Sequence, residues 1–166
     1  GDVYKRQAYW YYGKDRAQWI TSTYYMNQLP QWVKDFNNEE NLVKYLEDWV
    51  TLNDISTYEN FQIDNNNYEK RFNGKENSAF PYNIKELMKH NECFDMIKET
   101  PYGNSMTTDF AIEAIINEKL GKRDVTDILT ISYSSTDYIG HSFGVSSVET
   151  QDTYCLLYTS PSPRDG

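Results

Sequence analysis

The chain has 166 residues, a formal net charge of −9 at pH 7 and 16% aromatic residues, with 15 tyrosines among them. That length suits one domain or part of a larger one. The acidic balance argues against nucleic acid as a stable partner, because phosphate backbones are bound by basic patches. No stretch is long and apolar enough for a membrane-spanning helix.

The two ends stand apart from everything between them. "GDVYKRQ" at 1–7 and "CLLYTSPSPRDG" at 155–166 resemble translated sequencing-adapter sequence, of the kind left at the ends of assembled metagenomic contigs, and are set aside from fold reasoning. The expected native segment is Ala8–Tyr154, a fragment with native sequence missing on both sides. No signal-peptide pattern is visible, which carries little weight beside such ends. Cys93 is then the one native cysteine, so no internal disulfide is expected and the redox compartment stays open.

In chain order, Tyr9–Tyr12 and Trp19–Thr23 are two β-prone runs around the polar turn "GKDR" at Gly13–Arg16. Pro30 suits a first helical turn, and Trp32, Val33 and Phe36 line one face behind it. Asn38 is placed to cap the next helix, with Glu39 and Glu40 in its first turn and Leu42, Tyr45, Leu46 and Trp49 as its apolar stripe. From Asp54 to Pro81 the chain is polar, rich in Asn and without sustained period, which predicts a long binding or mobile loop. "NIKELMKH" reads as a short helix.

The clearest helix follows "TPYGNSM". Pro101 and Gly103 break the chain, Asn104 or Ser105 caps, Phe110, Ala111, Ala114, Ile115 and Ile116 form a broad apolar face, and Gly121 stops it. "DVTDILTIS" then reads as a strand, nearly continuously apolar through Val125, Ile128, Leu129 and Ile131, as in parallel sheets covered on both faces. Helix, short turn and buried strand predict an α/β fold.

"SSTDYIGHSFG" at 134–144 lies where that strand ends, the location at which open α/β sheets collect ligands. Asp137 and His141 offer a carboxylate and an imidazole, a donor set that suits Zn²⁺. Gly140 is expected to fold the backbone back so that the two side chains approach one point. Two ligands do not close a zinc site, so at least one more must come from elsewhere. A loop acid beside an unrelated histidine is the competing reading of this loose pattern.

The run "SYSSTDYIGHSFGVSSVETQDTY" resembles the metal-binding segment of the alkaline phosphatase superfamily, in particular bacterial alkaline phosphatases of the type I phosphodiesterase/nucleotide pyrophosphatase branch. "AYWYY…WITSTYYM", "LPQWVKDFN" and "PYGNSMTTDFA" are similar to other segments of those enzymes, in the same order. The resemblance implies an alkaline-phosphatase-like α/β fold with a mostly parallel central sheet. It assigns 8–100 to an aromatic, loop-rich cap or insert and 101–154 to part of the metal-binding core. It implies hydrolysis of a phosphate monoester through a phospho-enzyme, with two Zn²⁺ per active site, and export to the periplasm or beyond. Asp137 and His141 match two ligands of one zinc. The Thr or Ser nucleophile and the remaining ligands fall outside this segment, so the chain alone is expected to be inactive. The alternatives are a phosphodiesterase or nucleotide pyrophosphatase of the same superfamily, and a non-catalytic module gripping carbohydrate with its aromatic hairpin.

Other candidates are read as structural. His90 sits in a polar stretch as a surface histidine. Lys14 and Arg16 have the Lys-x-Arg spacing of the family's phosphate-contacting pair but lie on the wrong side of "AYW", and are turn residues. The Tyr/Trp cluster of 8–25 is packing, and Asp109 and Glu113 are solvated acids rather than acid/base partners.

Overall fold

The structure, a computed structural model, describes residues 6–91 and 93–159. The adapter-like ends therefore lie largely outside the described residues.

Strand β1 (Trp10–Tyr12) pairs antiparallel with β2 (Gln18–Ile20), with Tyr11 opposite Trp19. The predicted hairpin is thus formed, with Lys14 and Arg16 exposed in its turn. Gly13 has to be glycine, since a Cβ there would lie 2.6 Å from the Asp95 backbone nitrogen. Helix α1 (Gln31–Phe36) follows Pro30 and buries Val33 and Phe36. Asn37, just after it, ties helix to hairpin. Its Oδ1 accepts from Trp19 N at 2.7 Å and its Nδ2 donates to Trp19 O at 2.9 Å.

The hairpin and α1 close on Phe110, in the long helix α4 (Tyr102–Asn117). Trp19 stacks on the Phe110 ring at 4.1 Å, with Tyr9, Trp32 and Phe36 around it at 5.0–5.4 Å. Aromatic pairs in these offset and edge-on arrangements add about 0.5–1.5 kcal/mol each beyond burial.

The helix expected after Asn38 is shorter than its apolar stripe. Helix α2 (Glu39–Leu42) gives way to a 3-10 turn at Val43–Tyr45. Trp49 cannot continue it, because its backbone N–H and C=O pair with those of Tyr82 at 2.9 and 3.0 Å. Leu42, Tyr45, Leu46 and Trp49 are nevertheless all buried. The polar 54–81 segment carries only two short 3-10 turns, at Ile55–Thr57 and Phe61–Ile63. It still delivers Phe72 and Phe80 to a second aromatic cluster with Trp49, Tyr82 and Phe143. Helix α3 (Ile84–Met88) is capped by Asn83, whose side chain accepts from Glu86 N.

Helix α4 begins at Tyr102 after Pro101, so Asn104 is not its cap but a buried residue inside the first turn. Its apolar face is narrower than expected, since Ile116 is exposed.

The parallel sheet is the main departure. Residues 124–133 form no ladder, and the only sheet among the described residues is the two-stranded hairpin. Val125, Ile128 and Leu129 are exposed, Ile128 at 88%. A strand needs neighbours for its N–H and C=O groups and its apolar faces, and among the described residues no strand pairs with this segment. The segment leads instead into helix α5 (Ser134–Phe143), followed by helix α6 (Val148–Thr159), which runs across the 154/155 boundary. One continuous core joins residues on both sides of position 100, from Trp19 to Phe143.

Candidate metal centre

Helix α5 has two faces. Ser135, Ile139 and Phe143, spaced by four, are buried. Asp137 and His141, also spaced by four, point outward and are 78% and 81% exposed. Their Oδ1 and Nε2 atoms lie 3.5 Å apart. The pair does converge, but not in the expected way. No loop folds back at Gly140, which is an ordinary helical residue where a Cβ would meet nothing within 4 Å. Helical i, i+4 spacing brings the two groups together.

The donor set and its separation fit zinc. Carboxylate oxygen and imidazole nitrogen bond Zn²⁺ at about 2.1 Å, and at a tetrahedral angle two such donors stand about 3.4 Å apart. Among the described residues there is no group of three or more His, Cys, Asp or Glu placed to hold a metal. The pair therefore supplies half of a tetrahedral shell and leaves its other half open to solvent.

The remaining candidates do not join it. His90 is exposed at the end of the 84–88 helix and packs on Gly74, where a Cβ would come 2.7 Å from its ring. Asp109 accepts from Tyr45 Oη at 2.7 Å and from Lys44 Nζ at 2.8 Å, which ties α4 to the 43–45 turn. Burial and this neighbouring carboxylate push the Tyr45 hydroxyl pKa up. Glu113 accepts from Asn117 Nδ2. The hairpin rings Tyr9, Tyr11 and Trp19 face the core around Phe110.

Two carboxylates that the sequence reading passed over are among the most buried groups in the chain. Glu149 and Asp152 on α6 are both 0% exposed. Asp152 accepts three hydrogen bonds, from Trp49 Nε1 and Leu52 N at 2.7 Å and from Tyr58 Oη at 2.6 Å. Glu149 Oε1 is 2.6 Å from Tyr82 Oη, which also contacts the Ser78 carbonyl. Tyr82 Oη donates to Glu149 Oε1, and Glu149 Oε2 is buried with no hydrogen-bond partner among the described residues. Burial raises the Glu149 pKa to about 8, with Asp64 and Glu69 pushing the same way against the Tyr82 hydrogen bond. These acids are structural. Residue type alone gives no signal for them: Glu149 in the first turn of α6 matches the ordinary dipole preference, and Asp152 one turn on reads like any helical acid.

No family model matches the chain. It is 49% identical over 153 residues to a Myroides odoratus protein named calcium-transporting ATPase, covering 90% of this chain and 28% of that one. Alkaline phosphatase PhoV of Synechococcus elongatus is 46% identical over 151 residues, 90% of this chain and 27% of that protein. Alkaline phosphatase PafA of Elizabethkingia meningoseptica is 40% identical over 152 residues, again 90% and 27%. The chain thus spans roughly a quarter of the length of these curated relatives. Its backbone matches the crystal structure of wild-type alkaline phosphatase PafA with a TM-score of 0.78 at 39% identity, over 90% of this chain and 28% of that one. A four-substitution variant of the same enzyme matches with a TM-score of 0.81. On this shared sequence and backbone, the chain belongs to the alkaline phosphatase superfamily.

Proposed function

We propose that this chain is a segment of a zinc-dependent phosphomonoesterase in which Asp137 and His141 are two ligands of one metal ion. The observation that carries the reading is the 3.5 Å separation of their donor atoms on the open face of α5. The names of two relatives, both alkaline phosphatases, supply the reaction class. When bound, the ion supplies Lewis-acid stabilisation of charge at a phosphoryl centre. The part of this chain is narrower. The Asp137 carboxylate contributes the anionic ligand, the His141 imidazole the neutral one, and α5 holds both at fixed spacing.

The Thr or Ser nucleophile, the phospho-enzyme it forms and the ligands of the second Zn²⁺ belong to the same proposal and lie outside this segment. So does a periplasmic or secreted location. A phosphate ester is the partner this reading requires.

The test is zinc-dependent hydrolysis of an aryl phosphate monoester by the full reading frame that carries this segment. Asp137→Ala and His141→Ala should each lower kcat/KM by at least about 100-fold, since loss of an outer hydrogen-bond partner of a ligand already costs about 10–100-fold. The 166-residue chain alone should show no turnover. Activity confined to diesters would transfer the reading to the phosphodiesterase branch, and turnover indifferent to chelators would end it.

A further inference from the structure

We propose that the Gly103–Asn104 step of α4 is a positioning element for the metal centre: it seats the first turn of α5 and so fixes where Asp137 stands. The inference rests on the reading of Asp137 and His141 as ligands.

Two successive residues of α4 meet two successive residues of α5. A Cβ on Gly103 would lie 2.1 Å from Ser135 Oγ and 2.9 Å from the Ile97 carbonyl, so only glycine permits this approach. Asn104, 3% exposed, donates from Nδ2 to Thr136 Oγ1 at 2.9 Å. One turn further along α4, Thr108 Oγ1 lies 3.2 Å from Tyr133 Oη. All three contacts fall on the turn that ends at Asp137.

That turn needs an external hold. Helix α5 has no side-chain cap, because Tyr133 at its N-terminal boundary makes no capping hydrogen bond. The first N–H groups of an uncapped helix have no intrahelical partner, and such ends fray. The other ligand is secured differently. His141 lies between Ile139 and Phe143, both sunk in the core at 0% and 4% exposure. Fraying at the uncapped N-terminal turn would therefore move Asp137 relative to His141, which lies beside the core residue Phe143.

The chemistry of Asn104 also points to more than packing. Its Oδ1 is buried with no hydrogen-bond partner. An unmet buried acceptor costs about 1–3 kcal/mol, a cost that an apolar residue of similar size would avoid. What the amide supplies and an apolar side chain cannot is the donor that holds Thr136.

The experiment is Zn²⁺ titration of the 166-residue chain, by calorimetry and by the NMR signals of its histidine rings, which number only two. Gly103→Ala is avoided because its Cβ would collide. Asn104→Ala and Thr136→Val should each weaken Zn²⁺ binding by up to about 10-fold, the low end for direct partners of metal ligands, since both act on Asp137 only through the turn they hold. Thr136→Ser, which keeps the hydroxyl, should bind like wild type. The double variant should be no worse than either single one, since both remove the same bond. A purely structural role predicts a lower Tm for these variants with unchanged affinity. Unchanged affinity in Asn104→Ala and Thr136→Val, with binding still lost in His141→Ala, overturns the seat and leaves the metal reading standing. Zn²⁺ that never perturbs the wild-type His141 ring, or binding that His141→Ala leaves intact, overturns both.

Discussion

Helices α5 and α6 are neighbours in sequence and in space, and both carry acidic side chains, yet they use them in opposite ways. On α5 the carboxylate of Asp137 is mostly in water, with an imidazole one turn away and room for an ion between them. On α6 the carboxylates of Glu149 and Asp152 are sealed, and tyrosine, tryptophan and backbone groups from the 49–82 region close over them. An exposed ionisable pair adds little to stability and is free to do chemistry. A sealed one is costly unless its oxygens are satisfied; those of Asp152 are, and they fix the elements that satisfy them, while Glu149 Oε2 has no partner among the described residues. Asp152 organises the loops that follow Trp49, while Asp137 organises nothing inside the chain.

The contrast fails or sharpens first at Asp152. Asp152→Ala removes the acceptor of three hydrogen bonds and strands the Trp49 and Tyr58 donors in the interior, with Leu52 N at its edge. Hydrogen bonds to a charged group are worth about 1.5–3 kcal/mol each, and they are not additive. Urea unfolding should show a loss of about 3–5 kcal/mol, or a chain that does not fold. A loss below about 1 kcal/mol, the range of a surface substitution, would erase the distinction between the two helices.

Next is the pH response of Glu149. Its folded pKa is raised to about 8 from the ordinary 4.5. Between those values the folded state keeps a proton that the unfolded chain has released. The stabilising contribution is therefore complete below pH 4.5 and is lost as pH rises towards 8. Wild type should lose on the order of a few kcal/mol across that window. Glu149→Gln keeps the shape, removes the titration and should flatten the slope. Asp64 and Glu69, whose pKa values burial also raises, leave a smaller residue of the effect. A slope as steep in Glu149→Gln as in wild type would show that Glu149 is not the titrating group.

The smallest effect belongs to α5. Asp137→Ala and His141→Ala should each change unfolding free energy by less than about 0.5 kcal/mol, as exposed side chains do, while abolishing the Zn²⁺ response of the chain. A large loss of stability in either variant would mean that the pair is structural after all.

Much of this was legible from residue types. The hairpin, the two helices around Trp32 and Phe110, and the convergence of Asp137 with His141 follow from local pattern and spacing. The sequence reading erred where tertiary contacts override local preference. It ran a helix to Trp49, whose backbone instead bridges Tyr82. It offers Asn104 or Ser105 as a cap, although the helix starts earlier, at Tyr102, and holds both inside it. It placed the metal pair on a loop turned by Gly140, where the chain is helical. The covered strand read at 125–131 is a separate case: the segment pairs with no strand among the described residues, and Val125, Ile128 and Leu129 are exposed.

By itself the sequence determined that a carboxylate and an imidazole stand four positions apart; that they share one face of a helix came only with the structure. Nor could the sequence determine which acids are sealed and which face water, because an aspartate reads the same in either setting. Only packing decided that, by bringing Trp49, Tyr58 and Tyr82 from roughly 70 to 100 positions away to close over α6 while leaving the outer face of α5 uncovered. Burial depends on contacts between distant parts of the chain, and those contacts set whether a charged group is silent, structural or available.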